Sequence, residues 1–352
     1  MLRSIRRTVS IALSTRLFII LGFLLISAGL LKLLESYRLR NLIAVLPTLF
    51  ALQIFLNDFM ELYLIEELKL RGNWFKIIIA PGTILHELSH FFAALFTGCT
   101  IVSVSLFKVN PKTGVMGYVE YLQPSDKWVV FRNFVIGFAP FLGCGMMVLG
   151  LYYLQAEGNV VSVSVVDVES AGGLFDSLVG VLSSFYGTLV SSGLSGVSFW
   201  LILYLQVCFG LGAASSTQDL KEFFYSLIRR PFSTIFIGVL SCGVILLAET
   251  SFDLMGYSVS EVIVYFLRAV VFVLLVSTSF LIVSLPLLFL GDKLLEVNVA
   301  GRAVVFFGSA AAYLSAYRLA GLSPQNTLVI TAPVFLLLLV IFRYPNLFLK
   351  KR

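Results

Sequence analysis

The chain has 352 residues, of which 59% are hydrophobic and 12% charged, and its mean hydropathy is +0.98. That balance excludes an ordinary soluble globular domain and points to a polytopic membrane protein in contact with the lipid bilayer. A net charge of +6 would suit nucleic acid, but the basic residues occur in small clusters between apolar runs, so they report membrane topology and no nucleic-acid partner is expected.

In chain order, Arg3, Arg6 and Arg7 precede the first apolar run, Leu17 to Leu34, which is long for a signal peptide and near which no small-x-small cleavage site stands out; an uncleaved anchor helix is expected. Leu42 to Arg71 is apolar in its first half and carries Asp58, Glu61, Glu66 and Glu67 in its second, which leaves spanning, re-entrant and surface arrangements open. Further spans are predicted at Trp74 to Gly98, Trp128 to Leu154, Ser198 to Ala214, Phe232 to Leu247, Val262 to Leu290, Val304 to Ala320 and Leu328 to Phe342. About eight transmembrane helices in an otherwise all-α protein result.

Between Gly98 and Trp128 the period changes. Val102, Val104 and Leu106 alternate with Ser103, Ser105 and Lys108, Asn-Pro-Lys-Thr-Gly follows at 110–114, and Val115 to Tyr121 can pair back. A small membrane-associated β-hairpin over Ile101 to Leu122 is predicted. The four cysteines, Cys99, Cys144, Cys208 and Cys242, have no CxxC spacing and read as buried apolar side chains.

Charge sets the orientation. No Lys or Arg lies between Arg132 and Lys221, whereas Glu157, Asp167, Glu169 and Asp176 do, so the loop 155–195 is expected outside the cell or compartment. Lys127, Arg132, Lys221, Arg229 and Arg230 are then cytoplasmic, and alternating the later spans places Lys293, Arg302 and Lys350 to Arg352 on the same side. The helix from Trp74 then runs inward, and Leu42 to Arg71 is expected not to cross completely. Three regions follow: an anchor and amphipathic or re-entrant segment over 1–73, a core over 74–230, and a C-terminal bundle of about four helices over 231–352.

His86-Glu87-Leu88-Ser89-His90 is an HExxH motif inside an apolar helix, and its histidines are the only two in the chain. Positions i and i+4 share a helix face, so both imidazoles can bind one metal ion while Glu87 reaches the adjoining water. Two histidines placed at random give this pattern roughly once in 5,000 placements. A carboxylate at this depth costs about 2.5–3.5 kcal/mol on insertion scales, so Glu87 requires a function. Catalytic zinc takes three protein ligands, and with no third histidine a carboxylate at a helix end is the candidate. Asp219, after the Ser198 to Ala214 span, approaches the same leaflet as the histidines; Glu222 and Asp292 are the other possible ligands.

The segment Pro81-Gly82-Thr83-Ile84-Leu85-His86-Glu87-Leu88-Ser89-His90-Phe91-Phe92-Ala93-Ala94-Leu95 resembles the site-2 protease family of intramembrane zinc metalloproteases. The resemblance extends over about Trp74 to Glu222, and includes the order of parts: a hairpin after the HExxH helix, a following helix with Ala139-Pro140, an extracytoplasmic insert and a helix leading to Asp219. Leu220 follows Asp219 where the family has Gly, and no Asn follows Pro140, which marks a divergent member. The resemblance implies zinc (Zn2+) held by His86, His90 and Asp219, with Glu87 as general base in peptide hydrolysis. Its substrate would be a transmembrane protein or peptide, cut from the cytoplasmic side of a multi-pass membrane enzyme. Two other classes stay open: a metal-binding membrane scaffold or regulator without catalysis, and a transporter, which the intramembrane Arg268 would suit. A glutamate-ligated metalloprotease using Glu222 is a further variant. Pro81 and Gly82 are expected to start or kink the motif helix, with Thr83 as its cap, and Gly143 and Gly145 to permit close helix approach.

Overall fold

The computed structural model describes residues 2–33, 40–67, 78–107, 117–155, 176, 180, 183, 197–250, 253–254, 257–319, 333–340 and 342. It is mostly helical, with two short antiparallel hairpins, and divides into two compact units, Met1–Ile282 and Val283–Arg352.

The first unit opens with α1 (Leu2–Leu33) and α2 (Arg40–Glu67), which lie against each other. Ser27 Oγ donates to the Ala44 carbonyl at 2.5 Å and Thr48 Oγ1 donates to Ser27 Oγ at 2.9 Å, small hydroxyls that join two apolar surfaces. The motif helix α3 (Ala80–Phe96) has Pro81 in its first turn, where a missing N–H costs nothing. Its N-cap is Ile79, without a side-chain cap bond, so Thr83 lies within the helix and is not its cap. After a left-handed Gly98 (φ 79°) come β1 (Thr100–Ser105) and β2 (Tyr118–Leu122), paired antiparallel with a register shift between Ile101 and Ser103. The predicted hairpin is therefore present, and its Asn110 to Gly114 tip lies outside the described residues.

Helix α4 (Val129–Gln155) packs beside α3, and α5 (Val197–Gly212) against both. The approach is close because glycines stand at the crossings. A Cβ on Gly82 would collide with the Cys208 carbonyl, and one on Gly143 with Ser89. Gly145 meets Val273 in the same way, as expected of both α4 glycines. Helix α6 (Thr217–Arg229) follows a capped turn, and α7 (Pro231–Thr250) begins at Pro231. Arg230, before the proline, leaves the helical region at φ −127°, ψ 60°, and the chain bends by 102° there. Strands β3 (Asp253–Leu254) and β4 (Tyr257–Ser258) lead into α8 (Val259–Glu296).

In the second unit, α9 (Val299–Leu319) and a helical stretch at 333–340 are described. Gly308 faces Leu338, and the Asn298 side chain accepts from Gly301 N–H at 2.7 Å at the start of α9.

Three helical segments are long and apolar enough to cross a membrane: Ile43–Met60, Val129–Leu154 and Tyr265–Pro286. The bent pair Leu201–Arg229 and Pro231–Leu240 meets the same criterion jointly, whereas Thr15–Leu30 and Gly301–Ala312 are shorter apolar helices. The expected eight spans are thus not seen among the described residues. Ile43–Met60 is also a correction: the segment expected not to cross has the length and apolarity of a full span, because its acidic residues fall at or beyond the end of the apolar stretch. Asp58, the one acid inside it, is 3% exposed and internally partnered. Most of the loop 155–195 lies outside the described residues, as do Trp74 to Ile77 of the predicted inward helix.

Candidate metal centre

The histidines emerge on one face of α3, as i, i+4 spacing requires, with their rings 4.9 Å apart between centroids. Each ring is oriented by a backbone carbonyl of a neighbouring helix. His86 Nδ1 lies 2.8 Å from the Gly212 carbonyl at the end of α5, and His90 Nδ1 lies 2.8 Å from the Ile136 carbonyl on α4. A carbonyl only accepts, so both rings carry their proton on Nδ1 and turn the Nε2 lone pair inward.

Asp219 meets them there. Its Oδ1 is 3.2 Å from His90 Nε2 and its Oδ2 is 3.5 Å from His86 Nε2. All three side chains are largely buried, and one donor atom from each lies within 4.8 Å of the others. Tetrahedral ligands about 2.0–2.1 Å from zinc stand about 3.3 Å apart, so these separations suit a shared ion. The donor set suits one as well. Two neutral imidazole lone pairs and an acceptor-only carboxylate aimed at one point repel unless a cation or proton lies among them, and the Nδ1 carbonyl bonds are the outer contacts typical of metal-ligating histidines. His86, His90 and Asp219 can therefore hold a metal ion.

Asp219 also has a local role. It occupies the third position of α6 and completes a capping box with Ser216: its Oδ2 accepts from Ser216 N–H at 2.7 Å and from Ser216 Oγ at 2.8 Å, while Ser216 Oγ accepts from Asp219 N–H at 3.3 Å. Capping and ligation are compatible, since the box restrains Oδ2 and leaves Oδ1 toward His90. Gly137 of α4 lets the Asp219 backbone come close, because a Cβ there would be 2.8 Å from the Asp219 carbonyl.

Glu87, one residue beyond His86, projects toward the hairpin. A Cβ on Gly117, just before β2, would stand 2.5 Å from Glu87 Cγ and 2.9 Å from the Ser105 carbonyl, so the turn end of the paired strands closes over this carboxylate. The hairpin is seated by Ile101 and Tyr121, which pack on a cluster of Ala93 and Ala94 from α3, Ile136 and Ala139 from α4, and Cys99 from the link after α3. Burial pushes the Tyr121 phenol up to about 12, so it stays a protonated donor. Val102, Val104 and Leu122 occupy the opposite, exposed face. The far end of α3 is clasped by Arg132, which donates to the Thr97 carbonyl at 2.8 Å and to both oxygens of Asp126 at 2.6 and 2.7 Å. These bonds hold the Asp126 carboxyl below the usual carboxylate range.

Of the alternative ligands, Glu222 is exposed and outside the cluster, its backbone carbonyl accepting from Asn133 Nδ2 at 3.2 Å. The Asp292 side chain lies outside the described residues. Cys99, Cys144 and Cys208 are free, buried and outside the cluster, as expected of packing residues. Arg268 is exposed on α8. The carbonyls of Gly212 and Ile136 had no sequence signal, since any residue supplies one. Asp58, which binds the turn before Asp219, did have one: a carboxylate within an apolar run.

Comparison with protein-family models, curated proteins and solved structures gives no match to this chain.

Proposed function

We propose that the protein is an intramembrane zinc metalloprotease that hydrolyses peptide bonds in or near transmembrane segments of other membrane proteins. The observation that supports this most directly is the convergence of His86 Nε2, His90 Nε2 and the Asp219 carboxylate beside Glu87, in a chain with several membrane-length apolar helices. The resemblance of residues 81–95 to site-2 proteases points the same way.

In this reading His86, His90 and Asp219 hold zinc, which when bound supplies Lewis-acid polarisation of water and of the scissile carbonyl. Glu87 takes the proton from the attacking water and returns it to the leaving amine. The Gly212 and Ile136 carbonyls keep the imidazoles in one tautomer, and the capping box keeps Asp219 from swinging away. Gly117 and the turn end of the β1–β2 pair limit the positions open to the Glu87 side chain and reduce its exposure to bulk water.

A helical substrate hides its carbonyls in its own hydrogen bonds, so it must unwind before cleavage. Among the described residues β1 and β2 pair only with each other, and an open strand edge beside Glu87 can hold an extended peptide by strand addition. The positive-inside pattern of the sequence supports a cytoplasmic orientation for this end of the site in a multi-pass protein.

Zinc content of the purified full-length protein, wild type against His86→Ala, His90→Ala and Asp219→Ala, tests the centre before a substrate is known. About one zinc per chain, lost in all three variants, is expected; a wild type without bound metal would refute the reading.

A further inference from the structure

No described residue of α1 or α2 belongs to the metal cluster, yet α2 reaches the turn before Asp219 and α1 the helix that carries it. Asp58, near the end of the apolar stretch of α2, is 3% exposed. Its Oδ1 accepts from Thr217 N–H at 3.2 Å, and its Oδ2 accepts from the Thr217 hydroxyl. Thr217 is the first residue of α6, two positions before Asp219. One turn of α1 supplies the counter-charge: Arg16 Nη1 lies 3.5 Å from Asp58 Oδ2 and donates to the Asp58 carbonyl at 3.0 Å. Beside Asp58, Asn57 Nδ2 donates to the Ala214 carbonyl at 3.4 Å, three residues before Thr217.

A second set of contacts, independent of these polar ones, holds the body of α6 to α1. Phe224 packs edge-on against Phe23 and Phe18 of α1, with ring centroids 5.0 and 6.3 Å away, and Gly22 provides the space for its ring. The ligand-bearing helix is thus fastened to α2 at its first residue and to α1 two turns on.

The consequence for the metal centre follows along four consecutive residues. Asp58 fixes Thr217; its neighbour Ser216 donates twice to Asp219 Oδ2; and this leaves Oδ1 3.2 Å from His90 Nε2. From this arrangement we infer that Asp58, braced by Arg16 and bonded to Thr217, is a positioning residue that orients Asp219 for metal binding, so that the N-terminal helical hairpin is a working part of the site. The inference rests on the metal-centre reading above and deepens it. A carboxylate is suited to this place because it offers two acceptors at once, one for a helix-start N–H that no intrahelical carbonyl can satisfy and one for the adjacent hydroxyl.

The test uses purified full-length protein and two metal ions. Zinc affinity is measured by chelator competition, and cobalt is loaded to report ligand geometry through its visible spectrum. Asp58→Ala and Thr217→Val should each weaken zinc binding by about 10- to 100-fold, the range typical of lost outer contacts to a ligand. Both should also alter the cobalt spectrum. Thr217→Ser, which keeps the hydroxyl, should restore affinity and spectrum to near wild type, and Asp58→Asn, which keeps an acceptor for the Thr217 N–H, should fall between. Gly145→Ala, which crowds Val273 at a crossing of α4 and α8, serves as a variant that loosens helix packing without touching this turn. It should lower thermal stability and leave zinc affinity unchanged.

If Asp58→Ala does not fold, the Thr217→Val and Thr217→Ser pair decides the matter. Wild-type zinc affinity and an unchanged cobalt spectrum in Thr217→Val would overturn the inference while leaving the metal centre intact. A wild type that binds no metal would overturn both.

Discussion

His90 Nε2 lies 3.2 Å from Asp219 Oδ1, across a separation of 129 residues in the chain. The two are brought together by separate elements: α3 presents the imidazole, and the capping box at the start of α6 presents the carboxylate. A cap alone would not need histidine lone pairs turned toward it, and the proposed protease depends on this convergence.

Glu87→Gln should separate binding from chemistry. The amide keeps the side chain's shape and leaves His86, His90 and Asp219 in place, so zinc content should match wild type. Cleavage of a membrane-embedded substrate should fall by roughly 10²–10⁴-fold, the usual contribution of a general base. Wild-type cleavage by a zinc-loaded Glu87→Gln protein would remove Glu87 from the mechanism.

Gly117→Ala should reduce cleavage while sparing the metal. The new methyl would stand 2.5 Å from Glu87 Cγ and 2.9 Å from the Ser105 carbonyl, so either the carboxylate or the strand must shift. A displacement of about 1 Å at a reacting group can cost up to 100-fold, and a loss of about 10-fold in kcat is expected here. Parallel zinc and activity assays check it; loss of both together would indicate that the hairpin supports the fold more broadly.

Gly143→Ala should destabilise the crossing of α3 and α4 by about 1–3 kcal/mol, the usual range for overpacking. The colliding partner is Ser89, next to His90, and its Cβ stays 3.1 Å from the added methyl. In a Ser89→Ala background the hydroxyl is gone and the cost should shrink. A double-mutant cycle on unfolding in detergent measures the coupling, and additive effects would mean the two residues do not meet.

The Asp126–Arg132 clasp gives a pH signature. Because the folded carboxyl is held below its ordinary value, its contribution is fully present above about 3.9 and is lost as pH falls through the lowered folded value. Wild type should therefore exceed Asp126→Asn in thermal midpoint by a constant margin near neutral pH. That margin should close in acid, and one unchanged from pH 6 to pH 3 would argue against the pair.

Much of the site was legible early because α3 carries its own instructions. Two histidines four apart must share a helix face, and a glutamate inside an apolar run demands a chemical reason. Asp219 could be proposed from its place after an apolar span and from the need for a third ligand. The hairpin was legible through its period of two and its Asn-Pro-Lys-Thr-Gly turn, and β1 and β2 bear that out. The number of spans was less so, since apolar length does not distinguish a crossing helix from a shorter one packed inside the bundle. Ile43–Met60 shows the converse: charge placement argued against a crossing, yet the stretch has the length and apolarity of a span, and its one acid, Asp58, is buried against Thr217 and Arg16.

By itself the sequence determined a membrane-embedded helical chain and an HExxH face, because composition and helical periodicity are local properties. Only the tertiary structure decided that, among the described residues, Asp219 joins the two histidines while Glu222, Cys99, Cys144 and Cys208 do not, and that α1 and α2 brace it. Those relations depend on glycine-permitted helix crossings and on backbone carbonyls at Ile136 and Gly212, and every residue offers the same carbonyl whatever its side chain.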